Sequence, residues 1–301
     1  MTAAGDRWRA LTPNARAILW MLVATVMFSI MTALIKGMAA RYDSFQIAFF
    51  RSLFAFLTFA PVALLSRGAV FRTAYPWQHV SRGMVGVMAM LTGYYSVANL
   101  PLALSTSISF AAPLFIVVLA VLALGETVGW RRWAATGVGF LGVLVCVRPT
   151  DGIAPAAFVG MAAAALVACS AIVTKKMPVS ERAITILIWS TMVSTTAALG
   201  PALLVWRTPG LEDFCYLALT GVVGGCGQAL FVHAYRLGEA SAVGPIDYTR
   251  LVFATVIGLV WFGEWPDAWT AVGAALIVGS SAYIAHREAQ LRRRRALAIA
   301  R

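Results

Sequence analysis

Three ionisable side chains fall inside long apolar stretches of the sequence: Arg51, Asp247 and Arg250. A charged group in the hydrocarbon of a membrane is costly, so such residues have partners or functions. Asp247 and Arg250 stand three residues apart and share one helix face, where they can pair. Two interpretations stay open for them: neutralised helix packing, or a cavity wall that binds a zwitterion together with Tyr248. Arg51 is expected to cap carbonyls or reach towards the membrane surface, in preference to the alternative of contacting a substrate.

A glycine-rich stretch supplies a second group of candidates. Four glycines within seven residues, among them Gly224, Gly225 and Gly227, weaken a helix and let another backbone approach closely. They predict either tight packing or a bend that opens a cavity. Gln228 beside them offers a neutral hydrogen-bonding group near the membrane centre. His233 has no second histidine nearby, so packing is favoured over proton transfer for it, and metal binding is not expected.

Aromatic, sulfur-containing and hydroxyl side chains mark two further stretches. Met88 and Tyr95 share a helical stripe, and Tyr94 neighbours it. Such a stripe suits either a wall for an apolar ligand or packing against lipid. In the following stretch Ser109 adds a hydroxyl, and Pro113 frees a backbone carbonyl near mid-span, which predicts a kink or a substrate acceptor.

The first apolar stretch adds a smaller polar stripe, Ser29 and Thr32, three residues apart. No motif for a catalytic nucleophile, a phosphate-binding loop or a zinc-binding His-Glu-x-x-His helix occurs in the sequence. We therefore expect no enzymatic activity, no cofactor and no metal site.

The composition explains why these few polar residues attract attention. Of 301 residues, 60% are hydrophobic and 12% are charged. A water-soluble domain of this size carries about 25% charged residues, so the chain is not a soluble enzyme. Apolar runs of about 20 residues cross a bilayer as helices. The sequence therefore predicts an all-α integral membrane protein with ten spans: Ala17–Ala39, Ser44–Leu65, Gln78–Ala98, Ala103–Leu124, Trp130–Val147, Ala156–Thr174, Ala183–Trp206, Phe214–Tyr235, Ser241–Phe262 and Ala268–Ala285.

The net charge of +12 is informative through its distribution. Of the 24 Lys and Arg residues, 18 lie on the side of the N-terminus, four on the other side and two inside spans. Cytoplasmic segments of membrane proteins are enriched in Lys and Arg. This bias predicts a bacterial cytoplasmic membrane protein with both termini in the cytoplasm. The basic C-terminal run then faces anionic lipid, and no nucleic-acid partner is expected.

The two halves of the chain resemble one another. Residues 83–126 align without a gap on residues 221–264, at an offset of 138, with eight identities in 44 positions. Both segments end in a Gly-Glu pair. Each half contains five predicted spans, and an odd number turns the second half upside down in the membrane. Inverted repeats of this kind are typical of transporters, whose substrate sites lie at the repeat interface.

Several motifs resemble a known family. They are Leu-Pro-Leu-Ala at 100–103, Ile-Ser-Phe-Ala-Ala-Pro-Leu at 108–114 and Pro-Ile-Asp-Tyr-Thr at 245–249. With the two Gly-Glu pairs and Arg51, they are similar to the EamA type of the drug/metabolite transporter superfamily. The resemblance implies two inverted five-helix repeats, residues 17–148 and 155–286, flanked by cytoplasmic tails at 1–16 and 287–301.

The resemblance also implies a function. We expect an inner-membrane transporter that exports small organic metabolites, amino acids with aromatic or apolar side chains first, by alternating access around a central midplane cavity. The alternative within this class is import of S-adenosylmethionine or riboflavin. The alternative from another class is a membrane protein that transports nothing. The expected partners are a small-molecule substrate and the lipid bilayer, and the chain is expected to be a monomer or weak dimer.

Overall fold

The structure is a computed structural model that describes residues 11–125, 128–147, 155–177, 181–238 and 240–299. Glu126, Arg148 and the outermost parts of both tails lie outside these residues. The described chain is helical throughout, with one short 3₁₀ turn at Ala69–Phe71. Its α-helices, numbered α1 to α12, are Pro13–Ala39, Ser44–Leu65, Pro76–Asn99, Leu102–Ser109, Ala112–Leu124, Trp130–Val147, Pro155–Lys176, Ala183–Leu204, Leu211–Leu237, Ala240–Asp247, Thr249–Phe262 and Ala268–Ile299.

Six helices of the described chain are long and apolar enough to cross a membrane: α1, α2, α4 with α5, α7, α8 and α9. The apolar parts of α11 and α12 are shorter. Helix α3 matches a predicted span in position, but it carries polar residues such as His79 and Arg82 in its first two turns. The all-helical membrane fold is thus confirmed, and the count of ten spans stays a prediction.

Two predicted spans are broken at equivalent positions. The fourth is divided into α4 and α5 at Phe110, just before Pro113, and the ninth into α10 and α11 at Tyr248. The offset between Phe110 and Tyr248 is 248 − 110 = 138, the offset found in the sequence. The rings of these residues contact each other, with centroids 5.2 Å apart. The internal repeat therefore extends to the backbone, and its two broken spans meet.

The ends of the broken spans match as well. Helices α5 and α11 both stop at a glycine in the left-handed region, Gly125 with φ +64° and Gly263 with φ +66°. A residue with a Cβ is strained in this conformation, so glycine is favoured there. The two Gly-Glu pairs of the sequence thus include the caps that end both broken spans.

Helices from the two halves interleave. Helix α9 packs along α1 and α2, α3 along α7 and α8, and α6 along α12. Glycines of α9 allow a close approach: a Cβ at Gly221 would collide with the Phe54 Cβ and lie 2.7 Å from the Arg51 carbonyl oxygen. A Cβ at Gly227 would lie 3.3 Å from the Phe28 ring. Helix α9 continues through these residues without a break, and the close contacts support the packing interpretation of the glycines. The alternative of a bend at them stays a prediction.

We predict that Gly221→Ala weakens this contact. The added methyl group has no room between α9 and α2, and overpacking of this kind costs about 1–3 kcal/mol. The measurement is the thermal unfolding midpoint of the detergent-purified protein. Gly137→Ala is the matched control, because a Cβ there meets no heavy atom within 4 Å. Equal midpoints for the two variants would contradict the packing role.

Candidate functional site

The first candidate site is a cavity of about 460 Å³, the largest of the three described below, lined by helices of both halves. Helices α1, α2 and α3 supply one side of its wall, and α7, α8 and α9 supply the other. The cavity lies towards the end of the bundle where α7 ends and α8 begins. Its polar lining consists of Arg51, Arg82, Tyr94, Ser170, Thr174, Ser190, Thr191, Ser194 and Gln228. No carboxylate is among the described residues of this wall, so the cavity is electropositive.

Arg51 faces this cavity from α2, against our expectation that it would reach the membrane surface. Its Nη1 lies 3.8 Å from the sulfur of Met90, a weak acceptor. Its Nε is buried and has no hydrogen-bond partner among the described residues. The carbonyls near Arg51 already accept the bonds of a continuous helix, which explains why the side chain does not cap them.

Arg82 is a second cation in the cavity wall, and sequence reasoning missed it. It donates from Nε to Thr174 Oγ1 at 2.7 Å and from Nη1 to Ser190 Oγ, which joins α3 to α7 and α8. In the sequence it counted among the cytoplasmic charges. The sequence does contain an indication of this role. Arg82, Met90 and Tyr94 recur at near-helical spacing, on the face of α3 that lines the cavity.

One turn before Arg82, a buried histidine supports the same end of the bundle. His79 Nε2 lies 3.2 Å from Glu181 Oε2, and Glu181 also accepts a hydrogen bond from Thr73 at 3.0 Å. The imidazole stacks on Trp189 with centroids 5.5 Å apart. These contacts hold the start of α3 against α8 and thereby fix the position of Arg82.

A second cavity of about 190 Å³ adjoins the first and shares Met90 and Tyr94 with it. Thr32, Ser109 and Arg250, all candidates from the sequence, line it. The hydroxyls of Thr32 and Ser109 donate to carbonyls of their own helices, at 2.8 Å and 2.7 Å. They therefore present oxygen acceptors to the cavity at little cost.

The Asp247–Arg250 pair lies at the break between α10 and α11. Asp247 Oδ2 is 3.7 Å from Arg250 Nη2, and the Arg250 guanidinium lies 5.0 Å from the Phe110 ring centroid and 5.7 Å from that of Phe28. Asp247 Oδ1 and Arg250 Nε are buried without partners among the described residues. This geometry makes the pair weaker than a close bidentate contact.

The same pair stands between two cavities. Arg250 faces the second cavity, whereas Asp247 and Tyr248 face a third one of about 230 Å³ together with Pro113. Ser29 is buried beside the break and donates to the Thr25 carbonyl at 2.9 Å, with a longer contact of 3.4 Å to the Arg250 carbonyl. Ser29 therefore supports the break and does not line a described cavity.

Three candidates lie away from the cavities. Met88 and Tyr95 are 53% and 44% exposed, on the outer face of α3. One residue along a helix is a rotation of about 100°, so the stripe next to Tyr94 faces outwards while Tyr94 faces inwards. His233 is also exposed, and its ring meets Trp20 edge-on at 5.8 Å. The structure thus corrects the cavity assignment of these three residues.

The opposite end of the bundle is tied by ion pairs. Lys36 on α1 donates to Glu264 and, at 2.6 Å, to the Leu100 carbonyl, while Glu264 accepts from the Leu102 backbone N–H at 2.8 Å. The pair is largely shielded, with side chains 12% and 21% exposed. It joins α1 to the α3–α4 and α11–α12 connections.

A second tie at this end joins the α1–α2 connection to the first turn of α9. Asp213 accepts from Arg41 at 2.7 Å and from the Tyr42 hydroxyl at 2.8 Å. Burial and the neighbouring Asp213 carboxylate raise the pKa of the Tyr42 phenol above its ordinary value, so it stays a donor at neutral pH. Gln46 exchanges two hydrogen bonds with the Arg207 backbone, at 2.7 Å and 3.0 Å.

A helical membrane fold with two similar halves around a polar cavity defines the class: a multi-pass membrane transporter. The EamA-like transporter family profile matches twice, at residues 15–148 and 154–285. The chain belongs to the EamA-like transporter family, as the motifs indicated. A solved structure matches with a TM-score of 0.63 over 92% of this chain and 98% of its own, at 17% identity, which supports the fold alone.

The named relatives transport different molecules. The S-adenosylmethionine uptake transporter of Rickettsia prowazekii is 31% identical over 93% of this chain and 95% of its own. The riboflavin transporter of Rhizobium johnstonii is 31% identical over 92% and 93%. The pseudopaline exporter of Pseudomonas aeruginosa is 28% identical over 87% and 93%. These relatives, like the family, are transporters and not enzymes, and their names include both uptake and export.

We predict that Glu264→Gln destabilises the tied end. The change leaves Lys36 without an opposite charge in a shielded place, and hydrogen bonds to charged groups contribute about 1.5–3 kcal/mol. The thermal midpoint in detergent should fall by several degrees. Arg41→Gln is the control, because Arg41 is 62% exposed and exposed pairs contribute about 0–1 kcal/mol. An equal or larger loss in the control would contradict the assignment.

Proposed function

We propose that the protein takes up S-adenosylmethionine, or a closely similar carboxylate-bearing metabolite, across the bacterial cytoplasmic membrane. The observation that carries the proposal is the polar cavity between the two halves, whose wall contains Arg51 and Arg82, two cations that can bind a carboxylate. Similarity to S-adenosylmethionine uptake transporters over nearly the whole chain supports the substrate. None of the relatives cited above is named an amino-acid exporter, so uptake replaces amino-acid export as our first hypothesis.

The charges of the cavity favour one candidate over another. S-adenosylmethionine carries a carboxylate, which an arginine can bind through two parallel hydrogen bonds. It also carries an ammonium and a sulfonium, which can face the Tyr94 ring and the hydroxyl and amide oxygens of the same wall. Riboflavin is uncharged and would leave Arg51 and Arg82 without an anionic partner. Riboflavin is nevertheless the second candidate, because its transporter in Rhizobium johnstonii is as similar in sequence as the first group.

The transport cycle proposed is alternating access with ten spans and both termini in the cytoplasm. In that orientation, the Lys36–Glu264 and Arg41–Asp213 ties close the outer end, and the large cavity lies towards the cytoplasm. The tied outer end and the hollow inner half support an inward-facing state. Opening the outer end would require these ties to break, which makes them the proposed outer gate.

The test of the substrate is uptake of methyl-labelled S-adenosylmethionine by right-side-out vesicles from a bacterial host expressing the chain. We expect accumulation above vesicles without the protein, competed by unlabelled S-adenosylmethionine and less by riboflavin. A parallel set of vesicles is preloaded with labelled phenylalanine. Faster release of phenylalanine with no accumulation of S-adenosylmethionine would contradict the proposal and restore amino-acid export.

A second test addresses the pair at the break of the ninth span. Asp247→Asn leaves Arg250 as an uncompensated charge between two cavities, and we expect uptake to fall about 10-fold, the loss that about 1.4 kcal/mol produces. The amount of protein in the membrane should stay unchanged. Glu212→Gln is the control, because this carboxylate is exposed at the start of α9. Normal uptake by Asp247→Asn would assign the pair to helix packing alone.

A further inference from the structure

The two arginines of the large cavity differ in how their donors are used. Arg82 donates hydrogen bonds from Nε to Thr174 and from Nη1 to Ser190. Arg51 has a buried Nε without a partner and one long contact to the Met90 sulfur. Among the described residues it has no carboxylate partner. Arg51 therefore offers free donors to the cavity, and Arg82 offers mainly its charge.

The Arg51 guanidinium is held in place by its surroundings. A Cβ added to Gly224 of α9 would lie 3.4 Å from Nε and 3.5 Å from Nη2, so the backbone of α9 passes directly beside the head group. The Met31 sulfur lies against the same point of α9. The distances to the guanidinium are van der Waals distances, whereas the Met31 sulfur would lie 2.6 Å from the same Cβ and would have to move. The head group is thus fixed on this side and faces the cavity on the other.

A guanidinium in this setting calls for an anion of a particular shape. A buried charge without a partner costs several kcal/mol, and an opposite charge that binds there offsets the cost. The planar fork of Arg matches a carboxylate with two parallel hydrogen bonds. An uncharged ligand does not compensate the charge.

We propose that Arg51 is the residue that anchors the substrate's carboxylate, with the backbone of α9 at Gly224 packed beside its guanidinium. This inference rests on the proposed function for the identity of the substrate, but not for the chemistry of the site. Arg82 adds positive charge to the same cavity and holds α3 against α7 and α8. Binding a carboxylate at Arg51 brings the substrate into contact with helices of both halves.

The transport test compares S-adenosylmethionine with its decarboxylated form, which lacks only the carboxylate. We expect the unmodified protein to prefer S-adenosylmethionine at least 10-fold as a competitor of labelled uptake. Arg51→Gln should raise the KM about 10- to 100-fold, from the loss of about 1.5–3 kcal/mol for a hydrogen bond to a charged group. It should also remove the preference between the two compounds. Arg51→Lys keeps the charge but lacks the planar guanidinium fork. Its KM and its preference should therefore lie between those of the unmodified protein and those of Arg51→Gln.

The control for the transport test is Arg131→Gln. It removes the same formal charge from an exposed arginine over the Trp130 ring, far in sequence from the cavity residues. Its KM and its preference should match the unmodified protein. A preference for S-adenosylmethionine that persists in Arg51→Gln would overturn the anchor while leaving uptake itself established.

A binding test on purified protein separates this inference from the choice of substrate. The thermal midpoint is measured with benzoate and with benzamide, which differ in the carboxylate alone. Benzoate should stabilise the unmodified protein more than benzamide does, and Arg51→Gln should abolish the difference. Equal effects of the two probes on the unmodified protein would overturn the anchor, even if S-adenosylmethionine is transported. Without a ligand, the thermal midpoint of Arg51→Gln should equal or exceed that of the unmodified protein. A clearly lower midpoint would show that Arg51 stabilises the fold instead of binding substrate.

Discussion

The structure depends on the rule that backbone polar groups inside an apolar bundle must be satisfied within the protein. Continuous helices meet this rule by themselves, but the fourth and ninth spans break at Phe110 and Tyr248. The Phe110 carbonyl accepts a hydrogen bond from Ser281 at 3.2 Å, and Ser29 approaches the Arg250 carbonyl. A hydroxyl of a neighbouring helix thus replaces the helical partner at the break of the fourth span, and Ser29 packs beside the break of the ninth. The irregular backbone is placed in the centre of the bundle, where Arg250 and the adjoining cavities are found.

Electrostatics divides the bundle into two ends of different character. At one end two ion pairs join neighbouring elements: Lys36 with Glu264, and Arg41 with Asp213. In the large cavity, by contrast, the charged residues of the described lining are two cations, Arg51 and Arg82. Paired charges hold a structure closed at little net gain, whereas unpaired ones raise the free energy of the empty state until an anion binds. A substrate that supplies this anion lowers the free energy of the occupied cavity, and the paired end stays closed until its ties break.

The sequence predicts the helices well because the bilayer leaves few alternatives to long apolar helices. The repeat offset of 138 also anticipates the equivalence of Phe110 and Tyr248, although the breaks themselves were foreseen only at Pro113. Which face of a helix lines the cavity is harder to predict, because successive side chains are rotated by about 100° around the helix axis. Tyr94 and Tyr95 illustrate this limit: they are adjacent in sequence and face opposite sides. Arg82 was missed because a residue near a predicted span boundary looks like a cytoplasmic charge until the packing of α3 is known.

The two halves share the arrangement of their helices, including one broken span each, but they carry different polar residues. This difference determines which polar groups line the cavities. At the offset of 138, Asp247 corresponds to Ser109, and Arg250 corresponds to Ala112. The charged pair therefore belongs to one of the two broken spans only, with Arg250 facing one cavity and Asp247 another. A fully symmetric chain would present the same groups to both sides of the membrane. Because this chain does not, exchanging the conformations of its halves changes the polar groups that a bound molecule meets, and binding energy can differ between the two orientations of the cavity.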